Sequence, residues 1–176
     1  MNSELTFNEE QKFGKKFIVL LIILISSFAI GILVWGVIQQ LVLGHPFGNH
    51  PMSDNGLIIS NIFISIFILL MDWLLLNVKM ETTINNEGIW YRFYPFLVKK
   101  RFINWNDIDK AYLRDYKPII EYGGWGIRFG FSGRAYNIRG NHGLQLVFRD
   151  GKKLLLGTQK PEELESLLKN LGRLIV

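Results

Sequence analysis

The sequence predicts an α+β protein, mainly β: a two-helix transmembrane hairpin, then a β-sandwich or partly open barrel of about seven strands, capped by a C-terminal α-helix. Three observations lead there. Two long apolar runs occupy 17–43 and 57–78; short alternating segments separated by turn residues follow Lys79; and the last stretch carries leucines at helical spacing. At 176 residues there is room for an anchor and one compact domain.

Residues 1–16 are expected to form a cytoplasmic N-terminal tail. Phe17 to Leu43 is 27 residues without an ionisable group, about 40 Å long as a helix, more than the roughly 30 Å hydrocarbon core requires. Tilt, or emergence of Gln39 and Gln40 among the headgroups, takes up the excess. The run is too long for a cleaved signal peptide, and no small-x-small cleavage site follows it. Leu57 to Val78 is the second span, 22 residues and about 33 Å as a helix. The loop 44–56 between them has no Lys or Arg, whereas Lys12, Lys15 and Lys16 precede the first span and Lys79 closes the second. The excess of Lys and Arg marks the cytoplasmic side. The expected placement is therefore multi-pass in the inner (cytoplasmic) membrane, with both termini and the 79–176 domain cytoplasmic. Trp35 and Trp73 fall towards span ends, where indoles collect.

Within the second span Asp72 is an intramembrane acid, a candidate functional residue by default. The competing reading is a hydrogen bond to Ser26 or Ser27 at similar depth on the antiparallel helix. His45 and His50 share the outer loop with Asp54, but their spacing does not make a metal site. Gly31 and Gly36 lack the spacing of a GxxxG packing face.

From Lys79 onward, KMETTI leads into the turn Asn85-Asn86-Glu87-Gly88. Then Ile89, Tyr91 and Phe93 alternate with Trp90, Arg92 and Tyr94, the period of a strand. LVKKRFINW, NDIDKAYLRDY, the Gly-rich EYGGWGIRFGFSG and RAYNI follow. GLQLVFR places Leu144, Leu146 and Phe148 on one face, and Asp150-Gly151 predicts a two-residue hairpin turn before KKLLLGT. Pro161, Glu162 and Glu163 open a helix. Leu164, Leu167, Leu168 and Leu171 form its apolar stripe, Glu165 pairs with Lys169, and Gly172 ends it.

Composition narrows the function. No cysteine is present, which excludes disulfides and thiol chemistry. Residues 79–176 hold 17 Lys/Arg against 10 Asp/Glu, a net of +7. Without a basic run or arginine-rich tail, that balance suits an anionic membrane surface rather than nucleic acid. The glycines of 123–126 lack a following Gly-Lys-Ser/Thr, and Phe129 stands where a G-x-G-x-x-G loop needs its last glycine. A tight turn or bulge beside Trp125 is expected instead. His142 lies in a hairpin turn, and Asp107 and Asp109 at a turn, so no base–nucleophile pair is assembled. An enzyme is not expected, nor is a cofactor.

Four blocks, Ile103-Asn104-Trp105-Asn106-Asp107-Ile108, Glu121-Tyr122-Gly123-Gly124-Trp125-Gly126-Ile127-Arg128, Ala135-Tyr136-Asn137 and Gly157-Thr158-Gln159-Lys160-Pro161-Glu162-Glu163-Leu164, carry a resemblance over roughly 79–172. The chain resembles an uncharacterised family of small bacterial membrane proteins with a pleckstrin-homology-like (PH-like) domain behind two helices. The resemblance implies a binding or scaffold module. Lipid-reading members of that superfold carry bases in the first hairpin loop, whereas here Asn85–Gly88 holds an acid and no base.

The expected function is therefore a non-enzymatic, membrane-tethered scaffold for an unknown membrane or cytoplasmic protein, or for copies of itself as a homo-oligomer. Glu121, Trp125 and Arg128 are the candidate binding residues, with a Glu121–Arg128 ion pair as the competing structural role. Lys99, Lys100 and Arg101 are the candidate lipid-headgroup contacts of an alternative reading as a peripheral anionic-lipid reader or sensor. A further alternative, an accessory subunit of a transport complex, rests on Asp72.

Overall fold

The computed structural model describes residues 5–14, 16–130 and 132–174. It divides into two units, Gly14–Leu76 and a second made of Met1–Phe13 with Asn77–Val176.

The first strand, β1 (Phe7–Lys12), precedes α1 (Lys16–Val37). A π-helical stretch, Ile38–Val42, extends α1, and α2 (Asp54–Asn77) follows the loop. Both helices are long and apolar enough to cross a membrane. Of their most apolar stretches only 0% and 6% is buried, unlike the core helix of a soluble protein. Phe47 packs so closely on Gly36 that a β-carbon there would lie 2.9 Å from its ring. Gln40 Nε2 donates to Met52 O and Asp54 Oδ1, both at 2.8 Å, tying the loop to α1.

Among the described residues eight strands follow α2: β2 (Lys79–Ile84), β3 (Gly88–Tyr94), β4 (Leu97–Asn104), β5 (Ile108–Asp115), β6 (Gly126–Gly130), β7 (Gly133–Asn137), β8 (His142–Phe148) and β9 (Lys153–Thr158). A short α3 (Pro118–Tyr122) precedes β6, and α4 (Pro161–Asn170) closes the chain. They build two sheets, β1-β2-β3-β4 and β5-β8-β9-β7-β6, rather than a closed barrel. The strand count exceeds the expected seven because β1 joins from the N-terminus and the Gly-rich segment folds into the β6–β7 hairpin. That hairpin docks its β7 parallel to β9, Arg134 opposite Leu154.

Within the expected tail 1–16, Phe7–Lys12 is a strand of the domain rather than a free tail. β1 pairs with β2 along its whole length, Phe7 opposite Ile84 and Lys12 opposite Lys79. Phe7, Glu9 and Gln11 face inward and are buried. Burying a carboxylate requires donors, and Glu9 has them: Thr158 Oγ1 at 2.8 Å and the Gln159 backbone N–H at 2.7 Å. Gln11 Nε2 donates to Gly157 O at 2.7 Å.

The main core lies between the sheets and α4, with Met80, Ile84, Ile89, Leu144, Leu146 and Leu168 almost fully enclosed. As expected, Leu164, Leu167 and Leu168 form the buried stripe of α4. Glu165 and Lys169 pair at 2.6 Å, and Gly172 ends the helix with φ +62°. A second, smaller core of Tyr116, Tyr122, Ala135 and Leu155 covers the other face of the five-stranded sheet. Leu154, Leu155 and Leu156 are therefore all buried, the continuous apolar run of a strand covered on both sides. The β8–β9 turn is a three-residue loop rather than the expected two. Gly151 N–H donates to Phe148 O, Phe148 N–H donates to Lys152 O, and Gly151 takes φ +80°, a type I turn with a following bulge.

On the outward face of the four-stranded sheet, Glu10 and Glu81 alternate with Lys12, Lys79 and Arg92. Arg92 donates two bonds of 2.6 Å to Glu81. They outweigh the opposing burial and, with Lys79 adding to them, lower the Glu81 carboxyl from 4.5 to about 2. A carboxyl with a depressed folded-state pKa adds stability that is fully present above its unfolded value and lost as pH falls through its folded one. Replacing Glu81 by Gln should lower stability at pH 6 and flatten the loss between about pH 4.5 and 2. Unfolding curves of both proteins across that range would show it; parallel acid losses would refute it.

Candidate functional site

The Gly-rich segment and its neighbours form one surface of the two-sheet unit. Gly123, Gly124 and Gly126 all take positive φ, +69°, +123° and +113°, which turns the chain sharply from α3 into β6 as the sequence suggested. Of the three expected binding residues, Trp125 and Arg128 are bonded to each other and Glu121 is held by other partners. Glu121 lies on α3, pairs with Arg114 (Nη2–Oε2 2.8 Å) and accepts the Lys117 backbone N–H at 2.7 Å. Arg114 first, and then that N–H, hold its carboxyl below the usual range against burial. The pairing with Arg128 is thus replaced by one with Arg114, which also donates to Gln145 Oε1 (3.0 Å) and Tyr122 OH (3.2 Å). Gln145 is buried on β8, its amide donating to Leu146 O and Leu154 O. Arg128 Nε donates to Trp125 O at 2.8 Å, bracing the turn, and the Trp125 indole N–H donates to Gly140 O at 2.9 Å. Trp125 stays part exposed, and Ile119, Ile120 and Phe129 from the same segment are exposed.

A cleft of about 620 Å³ opens between the two sheets. Tyr91, Ile103, Phe148 and Leu154 supply apolar surface, Arg134, Lys152 and Lys153 supply cations, and Gly130 and Gly133 let the β6–β7 hairpin form one wall. The size suits a small-molecule or side-chain docking site. Arg134 lies over the exposed Phe129 ring, 5.2 Å from its centroid. Lys152 pairs with Asp150 at 2.5 Å. Burial raises the Tyr91 hydroxyl, reinforced by Tyr136 and opposed by Arg101 and Arg134.

The register of β4 divides the run Lys99-Lys100-Arg101. Arg101 is opposite Tyr91 on the inward face, so it belongs to the cleft side. A register shift separates that pair from Phe93–Leu97 and leaves Lys99 and Lys100 in the bulged part of β4. Both are exposed, as are Phe96 and Val98 beside them.

In the helical unit, Ser26 Oγ donates to Asp72 Oδ1 at 2.9 Å, the structural role weighed for Asp72, through the first of the two candidate serines, Ser26 and Ser27. Elsewhere His142 Nδ1 meets Asp115 Oδ1. Arg134, Lys153, Ile119 and Ile120 escaped the sequence reading; the local signal available was the isolated Ile-Ile pair between Pro118 and Glu121.

No family model matches the chain, and no curated protein sequence matches it.

Proposed function

We propose that this chain is a non-enzymatic, membrane-tethered binding module, its PH-like two-sheet domain held at the inner face of the cytoplasmic membrane for a protein partner or a second copy. The observation that carries the reading is the hydrogen bond from Phe13 N–H to Val78 O, 3.1 Å. The chain leaves the domain beside the point where it returns. The intervening apolar helices must then cross an even number of times, and two crossings match their number and length. The Lys-bearing flanks and the Lys- and Arg-free loop 44–56 support the cytoplasmic side for the domain. The cleft with Arg134, Lys152 and Lys153, and the exposed Ile119, Ile120, Trp125 and Phe129, support binding. Tethering raises the effective concentration at the membrane, so modest contacts suffice.

The absence of native cysteine makes the test direct. In intact cells a membrane-impermeant maleimide should label Asn49→Cys and spare Asn86→Cys until the membrane is opened. In the same membranes, Arg134→Glu with Lys153→Glu should cut photo-crosslinks from position 129 by about tenfold. Labelling of Asn86→Cys from outside overturns the placement; crosslinks indifferent to the charge reversal overturn the cleft.

A further inference from the structure

The geometry points to the β3–β4 hairpin tip as a second membrane contact, in which Phe96 and Val98 dip into the headgroup layer and Lys99 and Lys100 meet anionic lipid. This inference rests on the membrane-tether reading and adds a contact to it.

Register places the tip. Lys12, Lys79 and Tyr94 lie side by side at one end of β1, β2 and β3. That end is where the chain departs at Phe13 and returns at Val78. A single residue, Val78, separates the last residue of α2 from the first of β2, so covalent geometry keeps Lys79 within about 8 Å of the helix end. Tyr94 is the direct partner of Lys79, a strand spacing of about 5 Å away. Pro95 and Phe96 continue beyond it. The opposite end of the same sheet carries the Asn85–Gly88 turn and Asn104.

The side chains at the tip fit a bilayer surface. Phe96 and Val98 are each 60% exposed, although the Phe96 ring also lies 6.4 Å from that of the core residue Phe93. Along β4 only Ile103 is buried, so the apolar residues of the tip are not a displaced core face. Charge separates this end into two parts. Lys12, Lys79 and Arg92 are matched by Glu10 and Glu81, whereas Lys99 and Lys100 have no ion pair among the described residues. Apolar side chains flanked by unmatched lysines have the composition of an interfacial anchor on an anionic leaflet.

Full-length protein in nanodiscs of phosphatidylcholine with phosphatidylglycerol would carry one nitroxide at a time, on Phe96→Cys, Val98→Cys, Asn86→Cys or Ile64→Cys. Power-saturation measurements with oxygen and a water-soluble nickel chelate read the depth of each. Labels at 96 and 98 should favour oxygen over the chelate severalfold more than the label at 86. Zwitterionic discs, or Lys99→Gln with Lys100→Gln, should reduce that preference. If 64 reports lipid while 96 and 98 match 86, the tip contact is wrong and the tether stands. If 64 itself reports water, the tether reading fails first.

Discussion

A fragment spanning 79–176 alone should fail to fold cooperatively, although sequence pattern marks it as the whole domain. It lacks β1, whose Phe7, Glu9 and Gln11 are only 1%, 7% and 2% exposed. Removing a buried Phe side chain costs about 3–5 kcal/mol. Thr158 Oγ1 and the Gln159 N–H lose Glu9 as acceptor, at about 1.5–3 kcal/mol for each hydrogen bond to a charged group. β2 also becomes a bare edge strand, a template for aggregation. Together these losses match the roughly 5–15 kcal/mol that holds a domain of this size. Joining 5–13 to 77–174 through a short Gly/Ser linker should restore folding, because Phe13 and Val78 are already hydrogen-bonded. Thermal unfolding and amide dispersion compare the two. A 79–176 fragment that melts at the same temperature as the linked form would refute the role assigned to β1.

Gly133→Ala should be the most damaging single methyl addition at the cleft wall, about 2–5 kcal/mol from backbone strain and overpacking together. Gly133 takes φ +98°, and a β-carbon would lie 2.3 Å from Lys153 O and 2.8 Å from Lys153 Cβ. Both contacts are to β9, so relief requires β7 to lift from its parallel pairing at Arg134–Leu154. Gly151→Ala is the matched control: φ is +80°, but no atom lies within 4 Å of the added carbon. It should cost only the left-handed backbone penalty, about 1–2 kcal/mol. Denaturant unfolding of the linked domain reads both. Equal losses would mean the hairpin yields freely and the close approach to β9 is unimportant.

What could be read before the fold was known depended on how local the information was. The apolar runs and α4 carry their own periodicity: 17–43 and 57–78 correspond to helices Lys16–Val42 and Asp54–Asn77, and the leucine stripe from Leu164 needs only its own spacing. β1 had no such signal. The strand FNEEQK turns Glu9 and Gln11 inward, so its inside looks polar, and their acceptors and donors lie at Gly157, Thr158 and Gln159, about 150 residues later. The short helix Pro118–Tyr122 was not expected either: five residues are too few to show a helical period.

By itself, then, the sequence determined the helical hairpin, the two-residue alternation of the strands and the closing helix, since each is a repeat within one segment. Tertiary structure alone decided that β1 completes the sheet, that Glu121 answers Arg114, and that Tyr91, Arg134 and Lys153 border one cleft. Those relations join residues distant along the chain, and side-chain pairing across such distances leaves no period in the sequence to read.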